Sequence, residues 1–245
     1  MSLPATFATT KRILRQLSHD RRSVAMLLVV PSSLLTLVYS MFHNQPGRFD
    51  HIGLTLLAVF PFLTMFLITS VSMLRERTSG TLERLFTLPI GKLDLIVGYA
   101  TAFSGAAILQ AGIAGLVAYQ LLGLDTAGSP ALVVIIALST AILGVACGLL
   151  CSAFARTEFQ AVQFLPVVVL PQLLLCGLFV PIDGMATWLG HVADVLPLTH
   201  AVSALDAVGS SSDPTAAMWQ DLGIVLAFAV GALAAGAATL RRRAA

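Results

Sequence analysis

Residues 52–74 read IGLTLLAVFPFLTMFLITSVSML, and the next three are Arg75, Glu76 and Arg77. The run holds no acid, base or histidine, and a helix needs about 20 apolar residues to cross the roughly 30 Å hydrocarbon core of a bilayer. The run therefore reads as a membrane span, and the charged triplet marks where the chain leaves the lipid. Working outward, five further apolar segments stand at about 24–42, 95–123, 131–154, 160–180 and 221–240. Composition agrees. Of 245 residues, 57% are hydrophobic and 11% charged, with a mean hydropathy of +0.90, whereas soluble domains carry about 25% charged residues. A closed β-barrel would need alternating polar and apolar residues, and the unbroken runs exclude it. The expected fold is all-α and integral to the membrane, one compact domain with six transmembrane helices over 24–240.

Residues 1–23 carry Lys11, Arg12, Arg15, Arg21 and Arg22 around Ile13, Leu14 and Leu17. That pattern predicts a basic amphipathic helix lying at the cytoplasmic membrane surface. With a long basic leader and no evident cleavage site, the first apolar run reads as retained rather than as a signal peptide. Lys and Arg in short loops set orientation. The leader, the 75–94 loop (Arg75, Arg77, Arg84, Lys92), Arg156 and the tail 241–245 (Arg241, Arg242, Arg243) fall on one side after six crossings. The other side has Arg48 alone of the 14 Lys and Arg residues. Both termini are thus expected in the cytoplasm.

Small residues recur at helix-pair spacing at Gly98, Ala102 and Ala106, at Ala111 and Gly115, and at Gly144 and Gly148, which lets helix backbones approach closely. Proline at 31, 61, 166 and 171 falls inside spans, and the pair in the fifth predicts a bent or broken helix. Between Pro181 and Pro214 the apolar stripe Met185, Trp188, Leu189, Val192, Val195, Leu196 predicts a short interfacial helix ending near Pro197. A second short helix follows, from Ala201 to Val208. Two readings stay open for this pair: a cap over the outer helix ends, or a substrate gate. Cys147, Cys151 and Cys176 lie within apolar runs and read as reduced packing residues.

Several chemistries lack their parts. None of the six cores carries an Asp, Glu, Lys, Arg or His within its interior, and such residues usually mark an ion or proton pathway. Asp125 and Asp221 stand at span ends. The histidines, at 19, 43, 51, 191 and 200, lie outside the cores, so no base sits beside an intramembrane nucleophile. Gly91-Lys92 is followed by Leu93, with Phe86 where a phosphate-binding loop needs its first glycine. If ATP drives this protein, another chain binds it.

The segment after the second span, Arg75-Glu76-Arg77-Thr78-Ser79-Gly80-Thr81-Leu82-Glu83-Arg84-Leu85-Phe86-Thr87-Leu88-Pro89, has a second layer. Gly80 can cap a helix N-terminus and Glu83 would face the positive end of its dipole. Leu82, Leu85, Phe86 and Pro89 then share one apolar stripe. Such a short helix suits docking into a groove on a soluble partner; the alternative is a solvated connector anchored by its arginines.

The stretch resembles the ABC-2 family of ABC transporter permeases, whose pattern is roughly Glu-Arg-x-x-Gly-Thr-Leu-Glu-x-Leu-x-x-x-Pro. A second block is similar as well: Glu158 to Gln163, Leu170-Pro171-Gln172, Cys176-Gly177-Leu178-Phe179-Val180-Pro181, Trp188, and Leu196-Pro197-Leu198-Thr199. The family usually has Ser at 176 and often Pro at 186. Within it, the daunorubicin-resistance-type drug-export permeases are most alike. The resemblance implies a membrane subunit of an ATP-driven exporter in the bacterial inner membrane. It would be assembled as two permeases, identical or homologous, over two copies of a separate ATP-binding subunit. ATP and Mg would be held by that subunit, with no cofactor and no ATP hydrolysis in this chain, and no nucleic-acid partner. It also implies that Arg75, Glu76, Arg77, Gly80, Thr81, Leu82, Glu83, Arg84, Leu85, Phe86 and Pro89 couple the membrane domain to the ATPase, with the short helices after span five re-entrant. An amphiphilic, drug-like or lipid-like substrate would pass near Phe60, Phe62, Phe66, Gln163, Phe164, Gln172 and Phe179, each of which also suits plain packing. An ion-coupled secondary transporter and a non-transporting assembly protein are the competing classes.

Overall fold

A computed structural model describes residues 2–81 and 91–239. Every regular element among them is helical: α1 (Leu3–His19), α2 (Arg21–Met41), α3 (Pro46–Thr78), α4 (Lys92–Leu116), α5 (Pro130–Cys151), α6 (Glu158–Phe164), α7 (Leu170–Leu175), α8 (Thr187–Ala193), α9 (Pro197–Ser210) and α10 (Ala216–Thr239). A π turn over Val117–Leu121 extends α4, another over Leu165–Val169 joins α6 to α7, and a short 3₁₀ turn spans Ile182–Gly184. Six stretches are long and apolar enough to cross a membrane: Val24–Met41, Gly47–Thr78, Lys92–Leu121, Pro130–Cys151, Glu158–Leu175 and Ala216–Thr239. These correspond to the six apolar segments of the sequence. The largest excess is in α3, whose 33 residues rise about 50 Å at 1.5 Å each against a hydrocarbon core of about 30 Å. It must project beyond the lipid, and Arg75, Glu76 and Arg77 ride on its projecting end.

The bundle is built on α3 and α5. Two of the small residues singled out by spacing make that pairing possible. A side chain on Gly144 would overlap the carbonyl oxygen of Phe62, and one on Gly148 would stand 2.5 Å from that of Phe66. With no Cβ at either position, the backbones close up and Phe62 and Phe66, both fully buried, fold over the contact. In lipid this dispersion contact and shape fit replace the hydrophobic drive that packs soluble helices. Helix α10 lies along α5, and α9 bridges α10 and α3. By contrast only 17% of the first span and 17% of the fifth are buried, against 67% for the α3 and α5 spans.

The fifth span, expected bent or broken, is a single stretch whose α-helix is interrupted by a π turn that holds Pro166 and separates α6 from α7, with Pro171 at the start of α7. Both short helices expected before Pro214 are present: α8 ends at Ala193, four residues before Pro197, and α9 begins at Pro197 rather than Ala201 and runs to Ser210, since proline's fixed φ is already helical. The two short helices α8 and α9 meet at 87°, and Trp188 on α8 is 67% exposed. Cys147, Cys151 and Cys176 are free thiols, the last buried.

Candidate functional site

One end of the molecule gathers the C-terminus of α3, the N-termini of α4 and α6, and the whole of α1. Helix α1 shows why its sequence sits there. Its buried face is Thr6, Thr9 and Ile13, small enough to lie flat on α4 at Gly98. A side chain on Gly98 would stand 2.7 Å from Thr9 Cβ and 3.2 Å from the Thr6 carbonyl oxygen. The Thr10 hydroxyl crosses to donate to the Gly98 carbonyl at 3.2 Å.

Asp94 locks the start of both helices. Its Oδ2 accepts from the Gly91 N–H at 3.0 Å, capping α4, while Oδ1 accepts from the Ser2 N–H at 2.7 Å and the Thr6 hydroxyl at 3.4 Å. One carboxylate thus closes two helix N-termini, each of which presents unpaired donors.

A second tie joins α1 to α3. Arg12 Nη1 donates to Glu76 Oε1 at 3.0 Å, and its Nη2 donates to the Tyr99 hydroxyl at 3.1 Å. Glu76 is 5% exposed and Tyr99 1%, so this ion pair works in a low-dielectric setting where its loss is felt. Beside it, Arg75 makes a two-pronged bond to Glu158 on α6, at 2.8 and 3.0 Å. The adjacent Arg77 is half-buried, and its Nε and Nη2 find no partner among the described residues.

Of the coupling residues expected from the sequence, Arg75, Glu76, Arg77, Gly80 and Thr81 are brought together here. Gly80, expected to open a helix, stands just beyond the C-cap Ser79 of α3, at φ 73°, the left-handed conformation with which glycine ends helices, and Thr81 directly after it is helical again. The Thr81 hydroxyl donates back to the Glu76 carbonyl at 3.1 Å, across that turn. Leu82, Glu83, Arg84, Leu85, Phe86 and Pro89 lie outside the described residues.

The expected pathway residues are scattered. Phe62 and Phe66 are buried in the α3–α5 contact, with Phe60 and Phe164 partly buried against the same cluster. Gln172 is buried and its Nε2 donates to the Val168 carbonyl at 2.9 Å. Gln163 is exposed in a shallow depression beside Arg156 and Gln160, and Phe179 is 64% exposed. Phe164 lines the same depression as Gln163.

Sequence reasoning missed Asp94, Tyr99 and the pairing of Arg12 with Glu76. The first had a signal, since Gly91-x-x-Asp94 has the spacing of a capping box at the head of a span. The pairing had none, because its members are 64 positions apart.

The stretch that holds α1 to α9 also matches a family model. Residues 4–208 match that of the ABC-2 type transporter. The chain belongs to the ABC-2 type transporter family. Among curated relatives, it is 28% identical over 192 residues to the probable multidrug ABC transporter permease YbhR of Escherichia coli K12, covering 77% of this chain and 51% of that protein. It is 29% identical over 183 residues to the linearmycin resistance permease protein LnrN of Bacillus subtilis 168, covering 75% and 47%. It is 26% identical over 190 residues to ABC transporter G family member 20 of Dictyostelium discoideum, covering 77% and 26%. The match spans about half the length of the bacterial relatives and a quarter of the third. As a member of this family the chain is a membrane permease component.

Proposed function

We propose that this chain is the permease half of an ATP-driven exporter, working with a second permease and two copies of a separate ATP-binding subunit. It moves an amphiphilic, drug-like or lipid-like substrate outward across a bacterial inner membrane, with both termini cytoplasmic. The observation that carries the reading is the double anchorage of α1. Asp94 ties it to α4, and Glu76 ties it to α3 one turn before Gly80 and the 82–89 segment. A push delivered to that segment by a nucleotide-driven partner would reach three helices together, because the joint holding them is buried and hydrogen-bonded. Relatives described as multidrug and linearmycin resistance permeases support the substrate class.

The experiment is ATPase activity of the chain in lipid with the ATP-binding subunit from the same genome. Leu82→Asp should lower coupled activity by tenfold or more, since it places a charge in a docking contact that needs an apolar one. The membrane domain should keep its thermal stability. ATP-driven transport that survives this change would refute docking through the segment. Transport that needs an ion gradient and no ATP would favour the secondary-transporter class.

A further inference from the structure

Helix α1 has two surfaces besides the one it lays on α4. Leu3, Phe7 and Leu14 form an apolar stripe, 79%, 70% and 41% exposed. Lys11, Arg15 and His19, spaced four residues apart and all exposed, form a basic stripe beside it, because Lys11 lies one turn from both Phe7 and Leu14. With Ala8, Arg12 and Gln16 the basic stripe lines a shallow depression. Arg12 is engaged by Glu76 and Tyr99. Lys11 and Arg15 have no side-chain hydrogen bond or ion pair among the described residues. No acid stands between Leu3 and His19, and Asp20, which follows, has a partner of its own. Like charges one helical turn apart repel, so the stripe favours an anion against it.

The two stripes together say what kind of anion. An acidic protein surface would answer the basic stripe and leave Leu3 and Phe7 without apolar cover. A membrane of anionic lipid answers both, with headgroups for one stripe and hydrocarbon for the other. Depth agrees, since Asp20 alone separates α1 from α2, whose span begins at Val24. We propose that this face of α1 is a binding surface for anionic phospholipids: Lys11 and Arg15 hold the headgroup while Leu3, Phe7 and Leu14 enter the hydrocarbon. The proposal rests on the exporter reading only for which leaflet is met, the cytoplasmic one. Because α1 is also tied to α3 and α4, lipid charge bears on the joint through which a partner subunit acts.

The test uses the full chain in nanodiscs of phosphatidylcholine with no ATP-binding subunit. Two probes, a phosphatidylglycerol and a phosphatidylcholine, carry the same photoactivatable diazirine near the ester end of one acyl chain, and adducts are mapped by mass spectrometry. On α1 the glycerol lipid should label about tenfold or more above the choline lipid. Lys11→Gln and Arg15→Gln should each cut that labelling about fivefold, the worth of one basic residue at a charged surface, and leave the choline lipid unchanged. Salt at about 1 M should erase the preference. Leu3→Ser with Phe7→Ser should lower labelling by both probes alike. Equal labelling by the two probes, or a preference that survives in Lys11→Gln with Arg15→Gln, would overturn the proposal. So would competition by inorganic phosphate, which marks a free-anion site. Labelling by neither probe, with Lys11 cross-linking to acidic residues of an added ATP-binding subunit, would make the face a protein interface instead. If the lipid preference is as expected and no ATP-binding subunit pairs with the chain, the exporter reading fails and this surface stands.

Discussion

Each end of this molecule fastens a helix that does not span the membrane onto helices that do, and the two fastenings differ in kind. At the basic end, the Arg12 and Glu76 side chains of the pair are 36% and 6% exposed, and α1 is pressed onto Gly98 with no room for a side chain. At the opposite end, α9 is tied to α10 by His200, whose Nδ1 lies 2.7 Å from Asp221 Oδ1, and by the Ser203 hydroxyl donating to Oδ2 at 2.7 Å. A further contact, His51 to Asp206 at 3.4 Å, joins α9 to α3 with side chains 56% and 40% exposed. The first is a joint around one buried carboxylate, in which removing Arg12 strands Glu76. The second is a latch of two unlike contacts, His200–Asp221 at 18% and 16% exposure and the more open His51–Asp206. A rigid joint suits transmission of force from a soluble motor, and a latch with one solvated contact suits a cover that must shift.

The sharpest way to break this contrast is at Arg12. Arg12→Ala leaves the Glu76 carboxylate buried and alone, and should destabilise the chain by about 2–3 kcal/mol, below the 3–5 kcal/mol of a fully buried pair because Arg12 itself is partly exposed. Replacing both members, as Arg12→Leu with Glu76→Leu, should recover most of that stability, since no charge is then stranded. Thermal unfolding in nanodiscs, followed by the reactivity of Cys147 and Cys151, would read both. Coupled ATPase activity should stay low in the double variant despite its stability. Recovery of both together would mean that the joint matters only for folding.

How much of this was legible beforehand divides along the same line. The six spans and the α3–α5 contact are written in local patterns: unbroken apolar runs, and Gly144 and Gly148 one turn apart. Helix α1 was legible from its basic and apolar periodicity. What it rests on was not, because Asp94, Gly98, Tyr99 and Glu76 are far from it in sequence, and the local signals at Gly98, Glu76 and Asp94 do not say which helix they meet. The fifth span was legible in part: its prolines mark an interruption, and the π turn at Leu165–Val169 supplies it without parting the span. Phe62 and Phe66 pack the α3–α5 contact, because aromatic residues on α3 serve helix packing as well as a pathway, and one chain's sequence does not say which use prevails.

At the opposite end the expected effects are smaller. Asp221→Ala removes the acceptor shared by His200 and Ser203, in a pair whose His200 and Asp221 side chains are 18% and 16% exposed. The cost should be about 1–2 kcal/mol, within the range for a lost hydrogen-bonding partner. The same unfolding measurement checks it. The α8–α9 pair should also become more accessible, which faster hydrogen exchange in α9 would report while α1 stays unchanged. A loss as large as that for Arg12→Ala would erase the distinction between joint and latch.

The finest division lies within the basic end itself, between Glu76 and its neighbour Arg75. The Arg75–Glu158 bond has the geometry of a strong pair, two parallel contacts at 2.8 and 3.0 Å, yet its side chains are 61% and 53% exposed. Geometry argues for strength and exposure against it. Exposure should win, because water and salt screen both groups in the free and the paired states alike. A double-mutant cycle of Arg75→Gln and Glu158→Gln should therefore give a coupling of about 0.5–1 kcal/mol that shrinks as salt rises from about 0.1 to 1 M. The Arg12–Glu76 coupling, one residue along α3, should hardly respond to the same salt. Two ion pairs on adjacent residues would then differ through burial alone. Equal salt sensitivity would mean that water reaches Glu76.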